Sequence, residues 1–176
     1  HRALWDMSMF NLPNLHAMIA LLRDGFHPQS EGGSIELAGD GTPIIDYVIN
    51  DYLWDGVRRS WLSMAEIQFA AGAKAVRASH VDSPWFTSWE EAKAGINALE
   101  FRSNAFTAGS AHCMGGLTMG EDQTRCLVDS NGKYHHLDNL YVFDGSVFPT
   151  SIGANPQLSI YGMACKQANK LLETLK

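Results

Sequence analysis

Residues 139–156 read Asn-Leu-Tyr-Val-Phe-Asp-Gly-Ser-Val-Phe-Pro-Thr-Ser-Ile-Gly-Ala-Asn-Pro, and the organisation of the chain follows from this stretch. Residues 140–143 are a short apolar run, expected as a strand buried on both faces. Asp144 stands at its C-terminal end. A loop containing Gly145 and Gly153 leads to Asn155, a good helix N-cap, and Pro156, a good first helical residue. Beyond them Leu158, Tyr161, Ala164, Cys165, Ala168, Leu171, Leu172 and Leu175 recur at helical spacing and predict the buried stripe of a final helix. A strand end, a glycine-containing loop and a helix N-terminus form a natural seat for an anionic or electron-rich ligand group. The first turn offers free N–H groups and about half a positive charge. Taken singly, Asn155 is also explained as a cap and Asp144 as a turn residue.

Upstream lies a second unusual segment, Ser110-Ala-His-Cys-Met-Gly-Gly-Leu-Thr-Met-Gly, which sets His112 in a glycine-rich loop where backbone can approach a ligand closely. A lone histidine is more often structural than catalytic. Residues 128–134 read as a hairpin turn with Asn131-Gly132 at the tip. Asp129 and Asn131 are too few and wrongly spaced for a calcium loop. His135 and His136 are adjacent, and adjacent imidazoles rarely converge on one metal ion; a solvated hairpin is the simpler reading.

The earlier part of the chain reads as packed secondary structure. Residues 4–24 are apolar and helix-friendly apart from Pro13, and Leu15, Met18, Ile19 and Leu22 predict a core-facing helix. Residues 34–38 alternate, Gly39-Asp-Gly turns, and 43–49 run on as the second strand of a hairpin. Asn50 or Asp51 caps a helix over residues 52–71. Leu53, Trp54, Val57, Trp61, Met64, Ala65 and Phe69 form its buried stripe, and Gly72 closes it. A short strand is expected at 75–79, ended by Pro84. Ser88-Trp-Glu-Glu is a capping box for a brief helix reaching about Leu99.

Composition narrows the function. Hydrophobic residues make up 45% and charged residues 18%, an ordinary globular balance, and the net charge is −6. With no basic run to neutralise phosphates, nucleic acid is not the expected partner. Cys113, Cys126 and Cys165 form no C-x-x-C pair, so a zinc site is not expected; buried free thiols are. No apolar run approaches the roughly 20 residues of a membrane span. The hydrolase elbow and the phosphate-binding P-loop are both missing, and Gly115-Gly116 with Gly120 lacks the strand–turn–helix setting of a dinucleotide fingerprint.

Together the two segments resemble the C-terminal part of the glucose–methanol–choline (GMC) family of flavin-dependent alcohol oxidoreductases. The family's His-x-x-Gly-Gly/Thr loop corresponds to His112-Cys-Met-Gly-Gly. Its hairpin corresponds to Val128-Asp129 with Gly132. Its Asn-Leu-x-Val-x-Asp-Gly/Ala-Ser-x-x-Pro strand corresponds to residues 139–149, and its Gly-x-Asn/His-Pro turn to Gly153-Ala-Asn-Pro. The match runs from about Ala111 to Leu172 and is looser upstream. Asn155 places the chain nearest the cholesterol-oxidase-like branch, since the glucose-oxidase-like branch has His there.

The resemblance implies an α/β fold, α+β in its substrate lobe: the C-terminal portion of a two-lobe FAD-binding fold whose N-terminal Rossmann-type half is absent from this chain. Residues 1–107 would complete the substrate-binding lobe, and 108–176 would carry the active-site loop, the FAD-contacting loop and the final helix. It also implies hydride transfer from an alcohol carbon to flavin N5. His112 would accept the hydroxyl proton, a task suited to imidazole. Asn155, which donates and accepts but does not titrate, would orient the substrate. Asp144, Gly145, Asn155, Pro156 and Gln157 would contact FAD, with helix N–H groups stabilising negative charge at flavin N1 and O2. The implied partners are a small-molecule alcohol and the missing FAD-binding half, in the same or another chain; alone, these residues should bind FAD poorly. Two rival readings are a non-catalytic interaction module and a metal enzyme using His112, His135 and His136.

Overall fold

The structure is a computed structural model that describes residues 8–25, 27–29 and 32–175. These residues mix helix and strand and fall into two compact units, residues 8–22 with 49–109, and residues 23–48 with 110–175.

The first unit is built on α1 (Asp51–Ala70). Asn50 stays extended and its side chain accepts the Leu53 N–H at 3.1 Å, satisfying a donor that the first turn leaves open. Leu53, Val57, Trp61 and Ala65 bury one face at four-residue spacing. At the other end Gly72 takes a positive φ, its N–H donating to the Phe69 carbonyl while that of Ala73 donates to the Gln68 carbonyl, the two bonds of a Schellman ending. Ser88 opens α2 (Trp89–Ala98) by accepting the Glu91 N–H at 3.2 Å. The return half of the capping box shifts by one residue, since the Glu91 carboxylate takes the Thr87 N–H and hydroxyl, both at 2.9 Å. Ala92 and Ile96 of α2 bury against Val57, Trp61, Ala65, Val76, Ala78 and Phe86. The strand expected at 75–79 is reduced to one bridge, Val76 with Phe86.

In the same unit His80 is buried beside the Trp61 ring. Its Nδ1 accepts the Asp82 N–H at 3.1 Å, so its Nε2 is the donor to the Glu100 carbonyl at 3.0 Å. This histidine is structural. The helix expected over 4–24 does not form as such. Its first residues lie outside those described, residues 8–10 are helical, residues 12–14 make a 3-10 turn around Pro13, and residues 15–24 have no regular structure. Ile19 is 83% exposed, and Leu15 and Leu22 are exposed too; with its stripe only thinly covered, a segment of this length is not held helical.

The second unit holds the hairpin β1 (Gly33–Leu37) and β2 (Pro43–Tyr47), antiparallel with Ile35 opposite Ile45. Asp40 shapes the turn by accepting the Thr42 N–H, which holds its carboxyl below the usual carboxylate range. Every residue of the two strands is exposed. The final helix, α3 (Gln157–Thr174), buries only Gln167 fully, with Ile160, Met163, Ala164, Ala168 and Leu171 half-buried around it. The expected stripe is therefore corrected, because Leu158, Tyr161, Leu172 and Leu175 lie on exposed surface. Residues 140–143 also differ from expectation. They make a single bridge, Lys133 with Tyr141, and Leu140 is exposed, because no strand lies along their other edge among the described residues. The thiols are not buried either: Cys113 and Cys165 are exposed and Cys126 is half-buried.

Candidate active site

The glycine loop carrying His112 is tied edgewise to the turn that follows Asp144. The Leu117 N–H donates to the Ser146 carbonyl at 3.2 Å and the Met119 N–H to the Val147 carbonyl at 3.0 Å. Asp144 shapes that turn, its Oδ1 accepting both the Ser146 N–H and the Ser146 hydroxyl, which leaves Oδ2 without a partner among the described residues. Gly145 lies where three segments meet. A Cβ there would stand 3.1 Å from the Cys113 carbonyl oxygen and 3.1 Å from Ile160 Cδ1. The residue beside His112, Gly145 and the first turn of α3 are thus in contact.

His112 is half-buried, and its N–H donates to the Ser110 hydroxyl at 3.2 Å. Its imidazole has no hydrogen-bond partner among the described residues. Asn155 is exposed and does not cap α3: the residue ahead of the helix is Pro156, and no side chain caps it. Its carboxamide likewise has no hydrogen bond to the described residues. The expected cap is corrected because Pro156 already has helical dihedrals and its carbonyl takes the Ile160 N–H. Pro156 is buried, while Gln157 is exposed and donates to the Tyr161 hydroxyl at 2.7 Å. The N–H groups of Gln157, Leu158 and Ser159 therefore open an 18-residue helix with no capping side chain. That donor set fits an electron-rich ligand edge, and it fits FAD among the groups that chemistry admits.

The sequence reading missed three supports. Ser110 sets the His112 backbone, and a hydroxyl two residues before the histidine is its only signal. Arg23 covers Gly153, where a Cβ would stand 2.9 Å from Arg23 Cδ. Gly25 packs on Thr150 in the same way. No local pattern announces contacts so far apart in sequence. His135 is engaged, its Nε2 lying 2.9 Å from the Gly120 carbonyl. Among the described residues no three His, Cys, Asp or Glu side chains gather as metal ligands, and no helix is long and apolar enough to cross a membrane. Two concavities along Asp129 and Lys133 do not include His112 and are open to solvent.

The histidine loop, the Asp144-Gly145 turn and the uncapped start of α3 thus meet at Gly145. The GMC oxidoreductase family model matches residues 28–164, and the chain belongs to that family. It is 29% identical over 150 residues to an uncharacterized GMC-type oxidoreductase, y4nJ, of Sinorhizobium fredii, covering 82% of this chain and 28% of that protein. It is 37% identical over 82 residues to the 6'''-hydroxyparomomycin C oxidase of Streptomyces lividus, covering 47% and 15%. With a cholesterol oxidase of Acinetobacter baumannii it shares 40% over 55 residues, covering 31% and 10%. The chain therefore spans well under a third of each of these relatives.

Proposed function

We propose that this chain is the C-terminal part of an FAD-dependent alcohol oxidoreductase, in which His112 takes the hydroxyl proton and Asn155 orients the substrate. The observation that carries this reading is the contact at Gly145, which joins the His112 loop to the start of α3. FAD, when bound, would supply the hydride acceptor. The chain's own residues would do the rest. The His112 imidazole, committed to no hydrogen bond among the described residues, is left to receive the proton at a ring nitrogen. The Asn155 carboxamide, equally uncommitted, would hold the same hydroxyl by donating or accepting one hydrogen bond. The N–H groups of Gln157 and Leu158 would donate to the electron-rich edge of the flavin, with Asp144, Gly145 and Pro156 lining the approach to it.

The test is His112→Ala in the full-length protein. FAD should remain bound, and flavin reduction by alcohol should slow by about 10²-fold or more, the scale of a lost general base. Reduction at the original rate would remove His112 from the mechanism. Loss of FAD would instead make it a cofactor-holding residue.

A further inference from the structure

Gln167 is only 1% exposed, yet it is poorly paired. Its Nε2 lies 3.7 Å from the Met119 thioether, a weak acceptor. Its Oε1 has no partner among the described residues. On packing grounds alone an apolar side chain of the same length would fill this position without leaving an acceptor unmet. Local rules broken in a core mark places where something other than stability is being served.

The position of Met119 indicates what that is. It lies at the far end of the glycine loop from His112. Two backbone bonds, from Leu117 and Met119, hold this loop to residues 146 and 147, but neither reaches α3. Among the described residues, Gln167 to Met119 is the only side-chain hydrogen bond from α3 to the loop. Near His112 the loop meets α3 through the Cys113 carbonyl, Gly145 and Ile160. About two turns further along the helix, roughly 10 Å away by helical rise, it meets α3 again at Gln167.

We propose that Gln167 is a positioning residue. Through Met119 it fixes the register of the glycine loop on α3, and so the placement of His112 relative to Asn155. The inference rests on the reading of those two residues given above.

The experiment uses Gln167→Met in the full-length protein, a swap that keeps side-chain length and removes both the donor and the unmet acceptor. Hydrogen exchange is followed over residues 110–120, alongside flavin reduction and thermal unfolding. Loop exchange should accelerate, and kcat should fall by between about tenfold and 10²-fold with KM little changed. The thermal midpoint should hold or rise, because the unmet acceptor is gone. A residue that merely fills space would show neither this split nor its sign. Met119→Leu should reproduce the effect, and the double variant should be no worse than either single one, since both remove one tie. Unchanged loop exchange in Gln167→Met, or effects that multiply in the double variant, would overturn the proposal. Exchange is read without turnover, so it decides the tie even if the protein oxidises no alcohol, an outcome that would fail the functional reading alone.

Discussion

Gly95 sits inside α2, where alanine would ordinarily be better by about 1 kcal/mol. Here space decides instead. A Cβ would stand 2.2 Å from Phe86 Cε1 and 2.5 Å from Cζ. The Phe86 ring cannot easily retreat, because its residue is buried and exchanges two backbone hydrogen bonds with Val76. Gly95→Ala should therefore cost about 1–3 kcal/mol of overpacking, enough to outweigh the helix gain. Chemical denaturation should show a lower midpoint. Gly95→Ala with Phe86→Leu should recover part of the loss, and a midpoint at or above the original would refute the account. At the candidate site the same close packing recurs at Gly145 and Gly153. There the neighbours are the Cys113 carbonyl and Arg23, so the cost of an added methyl would be read in His112 and Asn155 placement as much as in stability.

The start of α2 shows how an element's boundary depends on ionisation. Thr87 donates to the Glu91 carboxylate from its N–H first and its hydroxyl second, which holds that carboxyl below its ordinary value. A carboxyl whose folded-state pKa is depressed stabilises the fold fully above its unfolded value and loses that contribution as pH falls through the folded one. Glu91→Gln, which resembles the protonated form, should therefore lower stability on the neutral side and leave the strongly acid side little changed, flattening the acid limb of the stability–pH curve, as read by thermal melts across the carboxylate range. Ser88→Ala removes the other half of the cap and should cost about 1 kcal/mol at any pH. This boundary, like the hairpin and α1, was legible in the sequence because its signal is local: Ser88, Glu91, Asn50 and Gly72 act on neighbours within five residues. The candidate loop and the start of α3 were legible for a different reason, a joint family pattern from His112 to Pro156. What was not legible depends on partners distant in the chain. The apolar periodicity of residues 15–22 looks like that of α1, but it is only thinly covered. The final helix has two apolar faces, and its periodicity did not say that the buried one would centre on Gln167. The tie from Gln167 to Met119 spans 48 positions and leaves no trace in either segment.

At the scale of the whole molecule the second unit is under-covered. Ile35, Leu37, Ile45 and Val48 of the hairpin region are each about 70% exposed, and Leu158 and Leu175 of α3 are 83% and 71% exposed. An apolar surface of this kind on a folded protein marks a contact. The relatives it matches are several times longer than this chain, and on the function proposed above the cover would be the remainder of such a polypeptide. The 176-residue chain produced alone should therefore bind an environment-sensitive apolar dye, associate with itself at micromolar concentration, and take up FAD weakly. In the longer protein the amides of residues 33–47 should exchange slowly. Every residue of the two strands is exposed, and a lone two-stranded hairpin is marginally stable in water, so the contrast between the two preparations should be largest there. Equal protection of those amides in both, with no dye binding by the isolated chain, would mean that the hairpin needs no cover and that the unit stands by itself.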